Sequence, residues 1–396
     1  MTLGKTENVS QQEGLMTIIA FPKETAEGEN RCSLLPANLK AYQRMGADIH
    51  IQSGLGTGIA ITDEEYTAAG ATVVADRNQL LTNADIVLSI DKLPAEEISG
   101  LNGKVLISYL DPFNNSDYLR TLCQAKATAF SMEMIPRSSR CQKMDALSSQ
   151  ASLAGYVMTI KAMSALNRIL PMMMTPSGTI KPAKVFIIGA GVAGLQAIAT
   201  AKRMGAQVTA FDTRPVVAEQ VKSLGGKFLE IDLGDTSQTS QGYAQALTPE
   251  QLEKQKQAQA KAIAESDIVI TTAQLFGRKP PMLIDEATVA LMQSGSVIVD
   301  MAAENGGNVQ GSVAGETVQK HGVTIIGTGN WSNEVARDAS QMYANNLFNL
   351  VSEFWNKENN QMTINIEDEI QAAAIITHQG EITNQMIKDH LAKGNP

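Results

Sequence analysis

The residues of this chain best placed to do chemistry are Gly189, Ala190, Gly191, Val192, Ala193 and Gly194, because the apolar run Lys184-Val185-Phe186-Ile187-Ile188 leads directly into them. In a Gly-x-Gly-x-x-Gly turn between a strand and a helix, each glycine has a physical task. The first permits the tight turn, the second lets the backbone approach a pyrophosphate, and the third lets the helix pack closely on the sheet. The periodic segment that follows (Leu195, Ile198, Ala199, Ala201) would aim its N-terminal amides and positive dipole end at the same phosphates. The next apolar run, 207–211, ends in Asp212, eighteen residues beyond Gly194. That is close to the spacing of the carboxylate that grips the adenosine ribose hydroxyls of NAD(H) and repels the 2′-phosphate of NADP(H). Arg214, two residues on, could reach such a phosphate and pulls the other way. The competing reading is a glycine turn in an α/β domain that binds no nucleotide; strand, spacing and acid together weigh against it.

A turn of this kind needs a parallel sheet behind it, and the apolar runs supply one. Runs at 185–188, 207–211, 228–231, 268–271, 297–299 and 323–326 complete a doubly wound series. An earlier βα series runs through 17–20, a helix after Pro36, 48–52, a helix over 63–69, then 86–88, 105–107 and 128–130. Two long helical segments, 147–170 and 333–355, bracket the second series, and short apolar runs follow at 362–366 and 372–376. The chain is therefore expected to leave one domain, build a second and return. The expected fold is α/β, two Rossmann-like doubly wound domains joined by long helices, with a cleft between them at the carboxyl ends of the strands. The expected bounds are a disordered leader over 1–15, a discontinuous first domain at 16–146 plus 337–396, and a dinucleotide domain at 147–336. Pro171 to Gly178 reads as a loop whose three methionines are gap-filling or loop residues, not a ligand set.

Totals set the outer limits. With 396 residues, 43% of them apolar, the chain can bury two ordinary cores. A net charge of −9 disfavours unassisted binding to nucleic acid or anionic lipid surfaces. Cys32, Cys123 and Cys141 are far apart, and His50, His321, His378 and His390 form no i, i+4 pair, so no metal site is expected. No run of about 20 apolar residues is present to span a membrane.

Several segments together resemble one family closely. They are Phe21-Pro22-Lys23-Glu24 and Glu29-Asn30-Arg31, the stretch from Pro136 to Gln150 with its Arg-x-x-Arg-x-Gln-x-x-Asp-x-Leu-Ser-Ser order, and Phe211-Asp212-Thr213-Arg214-Pro215. Gly242-Tyr243-Ala244, the run from Gly295 to Asp300 and Asn305-Gly306-Gly307-Asn308 complete the set. The sequence resembles the NAD(H)-binding alpha subunit (domain I) of proton-translocating nicotinamide nucleotide transhydrogenase, with alanine dehydrogenase as its enzyme relative. The resemblance implies that Arg137, Gln142, Asp145 and Ser148 contact the nicotinamide ribose, its carboxamide and the linking phosphates. It also implies that Val192, Asp212, Thr213 and Arg214 surround the adenosine half. Gly242 and Tyr243 would lie on a mobile loop closing on the cofactor, and Gln255 and Gln274 would align with cofactor-contacting positions, Gln274 at a site usually apolar in the family. A second, purely structural task for the 136–150 loop is open as well, with Asp145 capping the long helix.

The resemblance implies hydride transfer between NADH held here and NADP(H) held by a partner subunit, with membrane-embedded subunits coupling the reaction to proton movement. Gln142 is the candidate for aligning the two rings. A homodimer, peripheral to the inner (plasma) membrane on the cytoplasmic side, is the implied assembly. Alanine dehydrogenase chemistry requires a lysine and a histidine where this chain has Ser89 and Asp111, and Arg31 reads more simply as an ion-pair residue. Amino-acid oxidation is thus the weaker alternative, and a non-catalytic NAD-sensing module is another.

Overall fold

Short runs of β-branched and aliphatic residues, each followed by a turn and an amphipathic helix, set the architecture. The computed structural model describes residues 16–231, 248–275 and 277–393. The leader expected over 1–15 and the loop bearing Gly242 and Tyr243 lie outside them. The chain divides into two units, Met1–Ile135 with Ala344–Pro396, and Pro136–Tyr343.

The first unit begins with β1 (Ile18–Phe21), α1 (Pro36–Arg44), β2 (Asp48–Gln52), α2 (Asp63–Ala68), β3 (Thr72–Val74), α3 (Arg77–Asn83), β4 (Ile86–Leu88), β5 (Val105–Ser108), α4 (Ser116–Gln124) and β6 (Thr128–Ser131). Local sequence dictates several starts. Pro36 sits in the first turn of α1, and α2 opens on a reciprocal box in which Thr62 and Glu65 satisfy each other's backbone amides. All of β4 is buried, as a central parallel strand covered on both faces must be.

The second unit holds α5 (Ala146–Ala165), a hairpin of β7 (Met173–Thr175) and β8 (Gly178–Ile180), then β9 (Lys184–Ile188), α6 (Val192–Arg203), β10 (Gln207–Phe211), α7 (Ala218–Ser223) and β11 (Lys227–Phe228). It continues through α8 (Pro249–Ala264), β12 (Ile268–Thr271), α9 (Glu286–Val289), β13 (Val297–Asp300), β14 (Thr317–Lys320), β15 (Val323–Ile326) and α10 (Ala336–Glu353). The junction back to the first unit falls inside α10. There β16 (Trp355–Asn356), β17 (Gln361–Met362), α11 (Glu369–Ala374), β18 (Ile375–His378), β19 (Glu381–Ile382) and α12 (Gln385–Ala392) complete it.

Two sheets result. The first runs β19-β18-β6-β5-β4-β1-β2-β3, parallel except at β18 and β19, and the second runs β11-β10-β9-β12-β13-β15-β14, parallel except at β14. The second order is the doubly wound 3-2-1-4-5-6 arrangement with one antiparallel edge strand added. Edge strands of two to four residues such as β14 and β19 are too short to announce themselves by periodicity.

Three local expectations change. The long helix stops at Ala165 instead of 170, because Leu166 turns extended (ψ 127) and both Leu166 and Leu170 are buried in the core of the second unit. Arg168 in that stretch anchors on Asp267 and the Lys181 carbonyl. The segment after Pro171 is a hairpin, not a loop, with Met172, Met174 and Ile180 exposed by 60%, 72% and 46%. The apolar run 372–376 is split, helix α11 up to Ala374 and strand β18 from Ile375.

In the first unit, carboxylates close the strand ends. Glu24, just after β1, accepts the amides of Ile90 and Asp91 beyond β4, and Glu133, after β6, accepts those of Leu110 and Asp111 beyond β5 together with the Ser131 hydroxyl. Burial pushes the Glu24 carboxyl up to about 8 despite its two amide bonds, and the charges of Asp91 and Glu29 add to the rise. Ser89 donates to the Asp91 carbonyl, while Asp111 takes a left-handed backbone (φ 46) and is engaged by Asn114 and Asn115. Arg31 forms a buried ion pair with Glu29 at 2.6 Å.

Because folding raises the Glu24 carboxyl from 4.5 to about 8, its contribution to stability is complete below about pH 4.5 and is lost as pH rises through about 8. Glu24→Gln, which keeps one acceptor for the strand-end amides, should flatten the fall in stability across that window. Urea midpoints below, within and above it measure this; an unchanged slope would show that another group is responsible.

Candidate functional site

The glycine turn is shaped by what no side chain could occupy. Gly189 has φ 99, a left-handed value at which a side chain is strained, and its amide bonds the Phe211 carbonyl at 2.8 Å. A Cβ on Gly194 would overlap the Gly189 carbonyl oxygen, so α6 can lie this close only without one. A Cβ on Gly189 would stand 2.5 Å from Oγ1 of Thr272, whose hydroxyl donates to the Gly189 carbonyl at 3.0 Å. Gly191 differs: a Cβ there would meet nothing within 4 Å. It is the N-cap of α6 and makes no side-chain cap bond, so the first amides of the helix face open space beside buried Ala190 and half-exposed Val192. That is the arrangement an anionic pyrophosphate fits: room, uncapped donors and a helix dipole.

Asp212 holds this turn as well as closing β10. Its Oδ2 accepts the Ala190 amide at 2.8 Å and Arg214 Nη2 at 2.9 Å; its Oδ1 accepts the Arg214 amide and Nε at 2.8 and 2.9 Å. The sequence alone leaves Arg214 able to seek a phosphate. In the structure its guanidinium is turned onto Asp212, and that hydrogen bond raises its pKa further. Thr213 lies half-buried between the two. A two-pronged pair fixed to the turn by the Ala190 amide leaves negative charge at the β10 end, the polarity that suits ribose hydroxyls over a 2′-phosphate.

The loop ahead of α5 is anchored by buried Cys141 and Met144 in a 3-10 turn (Ser139–Met144), while Arg137 and Gln142 are exposed. Gln142 makes no side-chain hydrogen bond among the described residues, which leaves its amide available. Asp145 caps α5: it accepts the Ser148 amide at 2.8 Å and the Ser148 hydroxyl at 2.5 Å, so two of the expected site residues are bonded to each other. Helix α5 packs along α6, and at Gly155 the approach is so close that a Cβ would overlap the Ala193 carbonyl oxygen. From Gly155 back to Ala146 is about 14 Å of helix at 1.5 Å per residue. The loop is thus within a dinucleotide's reach of the glycine turn, on the same unit.

The remaining expected residues scatter. Gln274, after β12, is exposed and its Nε2 donates to the Met301 carbonyl at 3.3 Å. Gln255 lies on the buried face of α8, with Oε1 lacking a partner among the described residues. Gly242 and Tyr243 lie outside the described residues. Sequence reasoning passes over Thr272 and Gly155. A glycine at mid-helix, where it costs about 1 kcal/mol against alanine, is the available signal for Gly155.

An open-faced glycine turn at the switch point of a 3-2-1-4-5-6 sheet defines a doubly wound fold of the dinucleotide-binding class. Models described as alanine dehydrogenase/PNT, N-terminal domain and C-terminal domain match residues 20–154 and 158–385. The chain belongs to the alanine dehydrogenase/PNT family. It is similar to an NAD(P) transhydrogenase subunit alpha chain of Rhodospirillum rubrum, 42% identical, with 92% of this chain and 97% of that protein covered. It is more distantly similar to the alanine dehydrogenase of Methanococcus maripaludis, 26% identical over 93% of this chain and 95% of that one. Among solved structures, a transhydrogenase from Sinorhizobium meliloti superimposes with a TM-score of 0.81 at 38% identity, covering 93% of this chain and 99% of that one.

The α5–α6 contact gives a direct test. Gly155→Ala should force the two helices apart and cost about 1–3 kcal/mol, as overpacking does, in spite of alanine's better helix propensity. Chemical denaturation measures the loss; a stabilised variant would mean that the helices slide freely.

Proposed function

We propose that this chain is the NAD(H)-binding subunit of a proton-translocating NAD(P) transhydrogenase. It would pass hydride between NAD(H) held on the second unit and NADP(H) held by a partner subunit, while membrane-embedded subunits couple the transfer to proton movement. The observation that carries this reading over amino-acid oxidation is the state of the first unit's strand ends. Ser89 and Asp111 stand where a dehydrogenase of this family would need a lysine and a histidine, and both are tied into loop structure. The identity of 42% to the transhydrogenase chain against 26% to the alanine dehydrogenase points the same way.

Nicotinamide supplies the hydride chemistry, and the protein's share is positioning and exclusion of water. The glycine turn would take the pyrophosphate on the amides of Gly191, Val192 and Gly194, and Asp212, Thr213 and Arg214 would hold the adenosine half. Arg137, Asp145 and Ser148 would contact the nicotinamide ribose, the carboxamide and the linking phosphates. Gln142, exposed and unbonded among the described residues, would align the two rings. Gly242 and Tyr243 would close over the cofactor, with Gln255 and Gln274 at its margins. We assign the exposed apolar hairpin β7–β8 to a homodimer contact, because an isolated two-stranded hairpin is marginal in water. The assembly would sit on the cytoplasmic side of the membrane. No helix among the described residues is long and apolar enough to cross it.

Mixing the purified chain with an NADP(H)-binding transhydrogenase domain should produce hydride exchange. Tight NADH binding without exchange would favour a sensor, and alanine-dependent reduction of NAD would favour the dehydrogenase. Within that assay, Gln142→Ala should slow transfer by about 100-fold, a typical penalty for lost alignment, with NADH affinity nearly unchanged. Equal loss in both would sink the aligning role.

A further inference from the structure

Two loops follow β12 and β13 at the carboxyl edge of the second sheet, and one buried pair of residues ties them together. Asp300, the last residue of β13, is fully buried. Its carboxylate accepts the amides of Ala302 at 3.0 Å, Asn308 at 3.0 Å and Val309 at 3.2 Å. The loop between these residues wraps it so closely that a Cβ on Gly307, already at φ 75, would stand 2.8 Å from Oδ2. The side chain of Asn308, positioned in this way, is also fully buried and donates twice across to the other loop, to the carbonyls of Ala273 and Pro281, each at 2.9 Å. Gln274 and Trp331 add to the tie, both donating to the Met301 carbonyl.

The chemistry of Asn308 says what it is there for. Its Oδ1 is buried without a partner among the described residues, an arrangement that costs roughly 1–3 kcal/mol. An apolar residue would avoid that cost, so what the amide adds is its two donor bonds between loops. Sheet order then locates their use. Asp212 assigns the adenosine half to the β10 side of β9, so the loops beyond β12 and β13 lie under the opposite half of a dinucleotide spanning the switch point.

We infer that Asp300 and Asn308 are positioning residues for the reacting, nicotinamide half of the cofactor, acting by locking the β12 and β13 loops into one platform. The inference rests on the proposed dinucleotide site. It is tested by comparing two ligands on one protein: NADH, which has both halves, and ADP-ribose, which lacks the nicotinamide. Asn308→Ala should weaken NADH binding by about tenfold, as expected for one to two lost hydrogen bonds, with ADP-ribose affinity altered less than about twofold. Hydride transfer should fall by at least the same factor. A purely structural clasp would weaken both ligands equally, and that outcome, or unchanged NADH affinity, overturns the inference. If Asn308→Ala fails to fold, Asn308→Ser, which keeps one hydroxyl donor, decides the matter by the same ratio. A wild-type chain that binds neither ligand would overturn the dinucleotide reading itself.

Discussion

Backbone touching backbone is the constraint on which the rest of the second unit depends. At Gly194 the first turn of α6 lies against the Gly189 carbonyl, and at Gly155 helix α5 lies against the Ala193 carbonyl. Both contacts exclude even a methyl group. The three layers β9, α6 and α5 are therefore stacked at a spacing set by main chain, and the register of each on the next is fixed by where the missing side chains fall. Within that stack Gly191 is the open glycine, and it faces the direction from which a ligand can come close to the amides of α6.

Charge serves a similar architectural end. Glu24, Glu133, Asp212 and Asp300 each follow or close a strand, and each commits its carboxylate to backbone amides of a neighbouring loop. Loops at the carboxyl edge of a parallel sheet have no ladder to satisfy them, so their free amides need acceptors from elsewhere. Carboxylates accept several bonds at once, which is why one acid can organise a whole connection. In the first unit the same device occupies strand ends that a dehydrogenase would keep for substrate. In the second it leaves the turn open.

Much of this is legible in the sequence, for identifiable reasons. Buried parallel strands such as Ile86–Leu88 and Ile268–Thr271 are nearly continuous apolar runs and stand out. The glycine turn and Asp212 stand at a spacing that a strand–turn–helix–strand unit explains directly. The end of α5 is misplaced by periodicity because Leu166 and Leu170 keep a helical spacing while burying from an extended chain. Edge strands β3, β14 and β19 carry too few residues for a period to be read. The Asp212–Arg214 pairing escapes notice because two residues apart in sequence says nothing about which way a guanidinium turns. Asn308 can be quoted as one residue of a motif, yet its partners, Ala273 and Pro281, are backbone carbonyls and leave no trace in composition.

The Asp212 carboxylate also bears on how such a site could change its cofactor. Selectivity and the shape of the phosphate turn are vested in the same two oxygens, one of which holds the Ala190 amide. A lineage or an engineer seeking to admit a 2′-phosphate by neutralising Asp212 would release Arg214 and loosen the turn in a single stroke. Cofactor preference here is consequently resistant to one-step drift: a switch must rebuild the support of Ala190 before, or together with, the loss of the acid.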